Sequence, residues 1–312
     1  MKFGGMVDSE RLDYDQVLGM SMAYEGAGFE YLGMFDHFVP IYSEDRASVL
    51  ECWTTLGALA RDTAKLNIGP LVTCSSYRSP VVVAKMSSTI ANLSGGRHFL
   101  GIGLGWYDRE FEALEIEMTP FKERIDQTAE FVEVVKKLLE GESVTHEGKN
   151  YRFKGLSAAE PSRPHPVPLL MGSEKGGPKM MRLMARLADN ANIGWNMDLG
   201  ELETKLGEFD ALCEEEGRDP SKVLKSTNFD LLVGADDGEY RSMVESTEKK
   251  FRPRFGGMEA YKDKIGKGVV GLPEECMEKV DRVKSLGVGL IFFQPLDSPD
   301  RRSVEVFSDS LR

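Results

Sequence analysis

Two spacings of apolar residues alternate along this chain. Short runs of consecutive or alternating apolar residues mark buried strands, and the segments after them place apolar residues every three or four positions, as one face of a helix does. In the first hundred residues the pattern predicts strands at 2–6, 29–35, 65–72 and 98–104. Helices are predicted between them: at 12–27, where Val17, Leu18, Met22 and Ala23 recur, at 48–64, and from Ser79-Pro80 through Val83, Met86, Ile90 and Leu93. Ser79 is a natural cap, and Pro80 fits a first helical turn, where its missing N–H would have had no partner. A strand followed by a helix, repeated four times, implies a parallel sheet, because parallel neighbours need a long crossover.

The rhythm continues to the end with one interruption. Asp108-Arg109-Glu110-Phe111-Glu112 predicts a helix start whose carboxylates are solvated and complement the helix dipole. Residues 121–139 carry Ile125, Phe131, Val132, Val135, Leu138 and Leu139 on one stripe, the clearest helical pattern in the chain. Between 141 and 166 the period is lost, and 144–153 alternates around Glu147-Gly148 as a small hairpin outside the main sheet. Strands at 167–171, 190–195, 227–233 and 288–293 follow, with helices at 179–187, 199–217, 237–251 and 273–286 and an irregular stretch at 252–265. Eight strands alternating with helices predict a (β/α)8 TIM barrel with insertions: one domain over 1–312, with an insertion at about 141–166. An open doubly wound sheet is the other arrangement, but no phosphate fingerprint follows the first strand.

Composition narrows the function. The chain has 312 residues, 41% hydrophobic and 29% charged, with a net charge of −12, the balance of an ordinary soluble protein without a basic surface for nucleic acid or acidic membrane. No apolar run is long enough to span a bilayer and no signal peptide precedes the first strand, so a cytoplasmic location is expected. Cys52, Cys74, Cys213 and Cys276 are isolated, and no metal site emerges.

In a barrel of this kind ligands sit at the C-terminal ends of the strands. That filter selects Asp36-His37, the segment 73–78, Gly105-Trp106, the loop 172–177 and Trp195. The selected residues are polar and aromatic, without a nucleophile and base in evident order, which points to a bound organic cofactor. His37 is the histidine at a strand end beside an acid, placed for proton exchange near neutral pH, or else simply structural. His98 opens its strand and is read as a barrel-bottom residue; His146 and His165 lie in the insertion and carry no assignment. Gly101, Gly103 and Gly105 share one face of an extended chain, either because a flat ligand approaches there or because a barrel corner is crowded. The glycine-rich loop 172–177 opens a helix and could hold a phosphate on backbone N–H groups.

Phe35-Asp36-His37, Arg78-Ser79-Pro80, Leu93-Ser94-Gly95-Gly96-Arg97, Leu100-Gly101-Ile102-Gly103-Leu104-Gly105-Trp106 and Leu187-Ala188-Asp189 together resemble the bacterial luciferase-like superfamily, most of all its coenzyme F420 (deazaflavin)-dependent oxidoreductases. The resemblance implies F420, or FMN in other branches, lying across the barrel mouth with Asp36 and His37 beside it and His37 as acid or base. It also implies a non-prolyl cis peptide near Pro70-Leu71 backing the ring. Thr73, Gly105 and Trp106 would line ring and tail, Gly172, Gly176 and Gly177 would meet the tail, and Trp106 and Trp195 would face the substrate. Trp106 stands where the family's sugar-phosphate dehydrogenases carry a proton-donating glutamate, which points to a larger or less polar substrate. A homodimer acting on a small molecule follows from the resemblance alone. Three functions are left open: an F420-dependent oxidoreductase, an FMN-dependent monooxygenase fed by a separate reductase, and a cofactor-binding relative without activity.

Overall fold

The computed structural model describes residues 1–41, 47–157, 165–255, 263 and 266–311. Parts of the expected insertion (158–164) and of the stretch expected to be irregular (256–262, 264–265) lie outside the described residues. The strands are β1 (Lys2–Val7), β2 (Tyr31–Met34), β3 (Asn67–Pro70), β4 (Thr73–Cys74), β5 (Leu100–Gly103), β6 (Ser143–Glu147), β7 (Arg152–Ser157), β8 (Leu169–Ser173), β9 (Asn190–Trp195), β10 (Leu224–Val233), β11 (Val269–Gly271) and β12 (Leu290–Pro295). The helices are α1 (Tyr14–Gly26), α2 (Cys52–Asp62), α3 (Pro80–Ser94), α4 (Asp108–Ala113), α5 (Phe121–Leu139), α6 (Pro178–Leu187), α7 (Leu199–Glu215), α8 (Asp237–Phe255), α9 (Pro273–Ser285) and α10 (Arg302–Asp309). None of the described helices is long and apolar enough to cross a membrane.

The parallel sheet runs β3-β2-β1-β12-β10-β9-β8-β5-β4, and its two ends are successive pieces of one stretch of chain, 67–74. The stretch 65–72 therefore needs correction: its strand, β3, stops at Pro70, the chain breaks at Leu71-Val72, and pairing resumes beyond the predicted end as β4. The lower half pairs with β2 and the upper half with β5, with one further bridge from Ile68 to His98, so this broken strand closes the ring. The peptide between Leu71 and Val72 is cis, one residue beyond the expected place. Counted this way the ring has eight strands, the (β/α)8 barrel, with β11 added beside the end of β10. Neither β11 nor α10 was visible in the periodicity, and α8 runs past the predicted residue 251 to Phe255.

The glycines of this region serve the closure. A Cβ on Gly101 would lie 2.1 Å from the Pro70 carbonyl oxygen, one on Gly103 2.6 Å from Val72, and one on Gly33 2.6 Å from Leu71. The crowded reading of the glycine face is thus the one the structure bears, because the broken strand occupies the space the side chains would need. Gly105, with φ of +75°, has already left the strand, and a Cβ there would strike Cys74 and Phe111.

Inside the barrel Met6, Phe35, Leu71, Phe99, Leu170, Leu290 and Phe292 pack together, while alternate residues such as Ile291 and Phe293 face the helices. At the bottom, the segment entering β3 is gripped from both sides. Glu25 accepts the N–H groups of Ala64, Lys65 and Leu66, and Arg97 donates to the carbonyls of Ala60, Thr63 and Leu66. The hairpin β6–β7 lies outside the ring and is tied to α5 by Glu130, which accepts from the backbone of Lys149, Asn150 and Tyr151.

His98 is fully buried at the bottom, with Nδ1 against the Ile68 carbonyl at 2.8 Å and Nε2 against Ser87 Oγ at 2.9 Å. Burial lowers its pKa to about 4, outweighing the carbonyl, which favours the charged form. An unfolded histidine binds its proton near 6.5, so the stability tied to neutral His98 is present above that pH and lost as pH falls through about 4. The full loss is about 3 kcal/mol. Urea unfolding at pH 7 and pH 4.5 should show a smaller acid-induced loss in His98→Gln than in the wild type; equal losses would assign the acid sensitivity elsewhere.

Candidate active site

Two buried carboxylates organise the mouth. Asp36 follows β2 and is buried, and Arg78 grips it with Nη1 on Oδ2 at 2.6 Å and Nη2 on Oδ1 at 3.0 Å. The Thr73 hydroxyl and Trp53 Nε1 also donate to it, and Arg78 continues to Glu51, the cap of α2, at 2.8 Å. Burial disfavours the Arg78 cation, but the Asp36 charge outweighs this and holds its pKa above the ordinary value. A two-pronged ion pair with its remaining lone pairs bonded is the form in which such a pair survives out of water.

The second carboxylate overturns an expectation. Glu110, read from the sequence as solvated in a first helical turn, has a side chain with no exposure at all. It accepts from His37 Nδ1 at 2.8 Å, from the backbone N–H of Phe38 and of Val39, and from the Tyr77 hydroxyl. Burial opposes ionisation of Glu110, yet the His37 ring and the other donors prevail and keep its carboxyl below the ordinary range. The Tyr77 phenol is driven in the opposite direction, by burial first and by Glu110 second, and stays protonated. With Nδ1–H committed to a carboxylate, Nε2 is the atom of His37 left to exchange a proton, and among the described residues it has no hydrogen-bond partner.

Aromatic rings continue round the mouth from His37. Phe35 lies 6.3 Å from it and 5.7 Å from Trp195, whose indole N–H donates to Asp230 at 3.0 Å. On the other side Trp106 stands 6.1 Å from His37 and 5.2 Å from Tyr107. Trp106 is 56% exposed, an apolar plate at the rim rather than part of the core.

The other selected residues divide into two sets. Pro70, Leu71 and Thr73 belong to the broken strand beneath the mouth, and a Cβ on Gly172 would sit 3.4 Å from Val72, so Gly172 borders the same floor. Gly176 and Gly177 lie in the turn before α6, where Gly176 N–H bonds to the Ser173 carbonyl and Gly177 N–H to Ser173 Oγ at 3.3 Å. No cluster able to hold a metal is present among the described residues, and all four cysteines are buried thiols. Sequence reasoning missed Glu110 and gave no role to Tyr77 or Arg78, although both lie in the selected segment 73–78; for Glu110 one signal was available, since it borders the apolar face marked by Phe111 and Leu114.

The comparisons with known proteins agree with this architecture. An F420-dependent hydroxymycolic acid dehydrogenase of Mycobacterium tuberculosis is 28% identical over 243 residues, covering 77% of this chain and 65% of that relative. An F420-dependent glucose-6-phosphate dehydrogenase of Mycobacterium avium is 30% identical over 330 residues, covering 100% of this chain and 97% of the relative. Among solved structures, an F420-dependent secondary alcohol dehydrogenase in complex with an F420-acetone adduct matches with a TM-score of 0.84. Its sequence is 23% identical, over 100% of this chain and 99% of that one, a likeness of fold. The family model described as luciferase-like monooxygenase matches residues 1–289, and the chain belongs to that family.

Proposed function

We propose that this chain is an oxidoreductase that works with coenzyme F420, moving hydride between the deazaflavin and a small organic substrate at the barrel mouth, with His37 exchanging the accompanying proton. The observation that carries the reading is the His37–Glu110 pair: an imidazole fixed through Nδ1 by a buried carboxylate, with Nε2 unpartnered among the described residues. F420 dependence in relatives that align over most of their length supports the choice of cofactor.

The residues present suit a planar ring. Val72, seated over Gly101, Gly103 and Gly172, would form the floor, and Phe35, Trp195 and Trp106 would form apolar walls around it. Pro70, Leu71, Thr73, Gly105 and Gly172 would border the ring, and Asp36 would support it from below through Arg78 and Thr73. At Gly177 the bond to Ser173 Oγ is long, so an anionic tail oxygen could replace that acceptor while the Ser173 hydroxyl turns to donate to it.

A bound deazaflavin supplies two-electron hydride chemistry. The protein supplies orientation and the proton. When an alcohol is oxidised, neutral His37 takes the hydroxyl proton on Nε2, and the Glu110 carboxylate on Nδ1 stabilises the imidazolium so formed. In the reverse direction the imidazolium returns that proton to the substrate oxygen. Trp106 and Trp195 exclude water from the reacting atoms and favour a substrate with an apolar body.

Titration of the purified chain with F420 and with FMN, followed by ring fluorescence, should give saturable binding of F420 and none of FMN. Tight FMN binding without F420 binding would replace the reading by a flavin-dependent monooxygenase, and F420 binding without turnover on a broad panel of alcohols and ketones would leave a carrier. His37→Asn should lower kcat by roughly a hundredfold to ten-thousandfold while the Kd for F420 changes by no more than about threefold. Unchanged turnover in that variant would remove His37 from the chemistry.

A further inference from the structure

The polar side chains that point into the barrel from β9 and β10 satisfy one another. Asn192 and Asn228 exchange hydrogen bonds at 2.9 and 3.0 Å, Asn192 also donates to Ser226 Oγ at 3.0 Å, and Ser226 donates to Asn190 at 2.7 Å. One strand further round, Gln294 stands apart from this arrangement. Leu290 and Phe292 belong to the internal cluster while Ile291 and Phe293 pack outward. The two-residue period of β12 therefore sends Gln294 inward at the C-terminal end of the strand, in register with Asp230 on β10.

Gln294 is only 6% exposed, and its carboxamide oxygen has no hydrogen-bond partner among the described residues. Asp230 beside it cannot supply one. Its carboxylate is an acceptor, taking Trp195 Nε1 on one oxygen and Asn196 Nδ2 on the other at 2.7 Å. A buried acceptor left without a donor weakens the fold, and leucine or methionine would fill the same volume without that defect. Packing thus gives no reason for a carboxamide here, whereas a ligand bringing a donor does.

We propose that Gln294 is a ligand-binding residue of the mouth, its Oε1 accepting a hydrogen bond from an N–H or O–H of the molecule bound there. The inference rests on the mouth being the active site. Two molecules can bring such a donor: the deazaflavin, whose ring carries a lactam N–H and a phenolic O–H, and a hydroxylated organic substrate. Trp195, held by Asp230 and packed on Phe35, gives either one an apolar surface between His37 and Gln294.

The test uses the full chain carrying Gln294→Met or Gln294→Asn, the latter keeping the amide but withdrawing it by one methylene. Three quantities are read: Tm without ligand, Kd for F420 by fluorescence, and KM for isopropanol and cyclohexanol in the F420-loaded enzyme. Gln294→Met should raise the ligand-free Tm by roughly 2 °C, and both variants should weaken ligand binding about tenfold. Weaker F420 binding identifies the cofactor as the donor; unchanged F420 binding with a raised KM identifies the substrate. F420 binding and alcohol KM values that match the wild type in both variants would overturn the proposal whatever the Tm. A wild-type chain that binds no F420 fails earlier, on the functional reading, and takes this inference with it.

Discussion

The mouth of this barrel depends on one carboxylate kept out of water. Glu110 comes from the helix after β5, yet its donors come from the loop after β2, through His37, Phe38 and Val39, and from the loop after β4, through Tyr77. A buried carboxylate persists only when several donors replace its hydration, and each loop that provides one is fixed in return. Three connections that could have moved separately are therefore one body. The ring of His37 is oriented by that body and by its aromatic neighbours, so its position follows from the fold of the mouth as a whole.

Asp36 and Arg78 form a second knot behind the first. Their two-pronged contact joins the end of β2 to the loop after β4, and the third contact of Arg78, to Glu51, draws in the start of α2. The Arg78 guanidinium also lies over the Phe38 ring at 4.9 Å, directly beside the segment that Glu110 holds. The two knots thus meet at Phe38. Acidic side chains here act as internal fasteners, a use that the chain's net charge of −12 does not suggest.

The barrel was legible in the sequence because its evidence is local. A two-residue period or a helical period can be seen within one window, and Ser79-Pro80 and Ser94-Gly95-Gly96 punctuate it with turn chemistry. What escaped was set by distant partners. The break of 67–74 into β3 and β4 reflects two different neighbours, β2 and β5, that the strand itself cannot announce. Glu110 resembles any acid of a first helical turn until His37, 73 positions earlier, is brought against it. Gln294 followed a run read as ending at 293, so its inward direction became visible only once β12 was placed. His37 and Trp195 could be placed near one another, with Phe35 between them, because a strand end is a position that sequence alone can mark.

The broken strand has a consequence for how firmly the ring is set. Strands in an open sheet can slide past a neighbour by two residues and still present the same faces. Here one short segment serves two neighbours, β2 and β5, and glycines at 33, 101 and 103 leave the room it occupies. A side chain at any of the three would collide with Leu71, with Val72 or with the Pro70 carbonyl. Closure of the cylinder thus hangs on a single kinked seam, and bulk added at any of these glycines would wedge that seam apart.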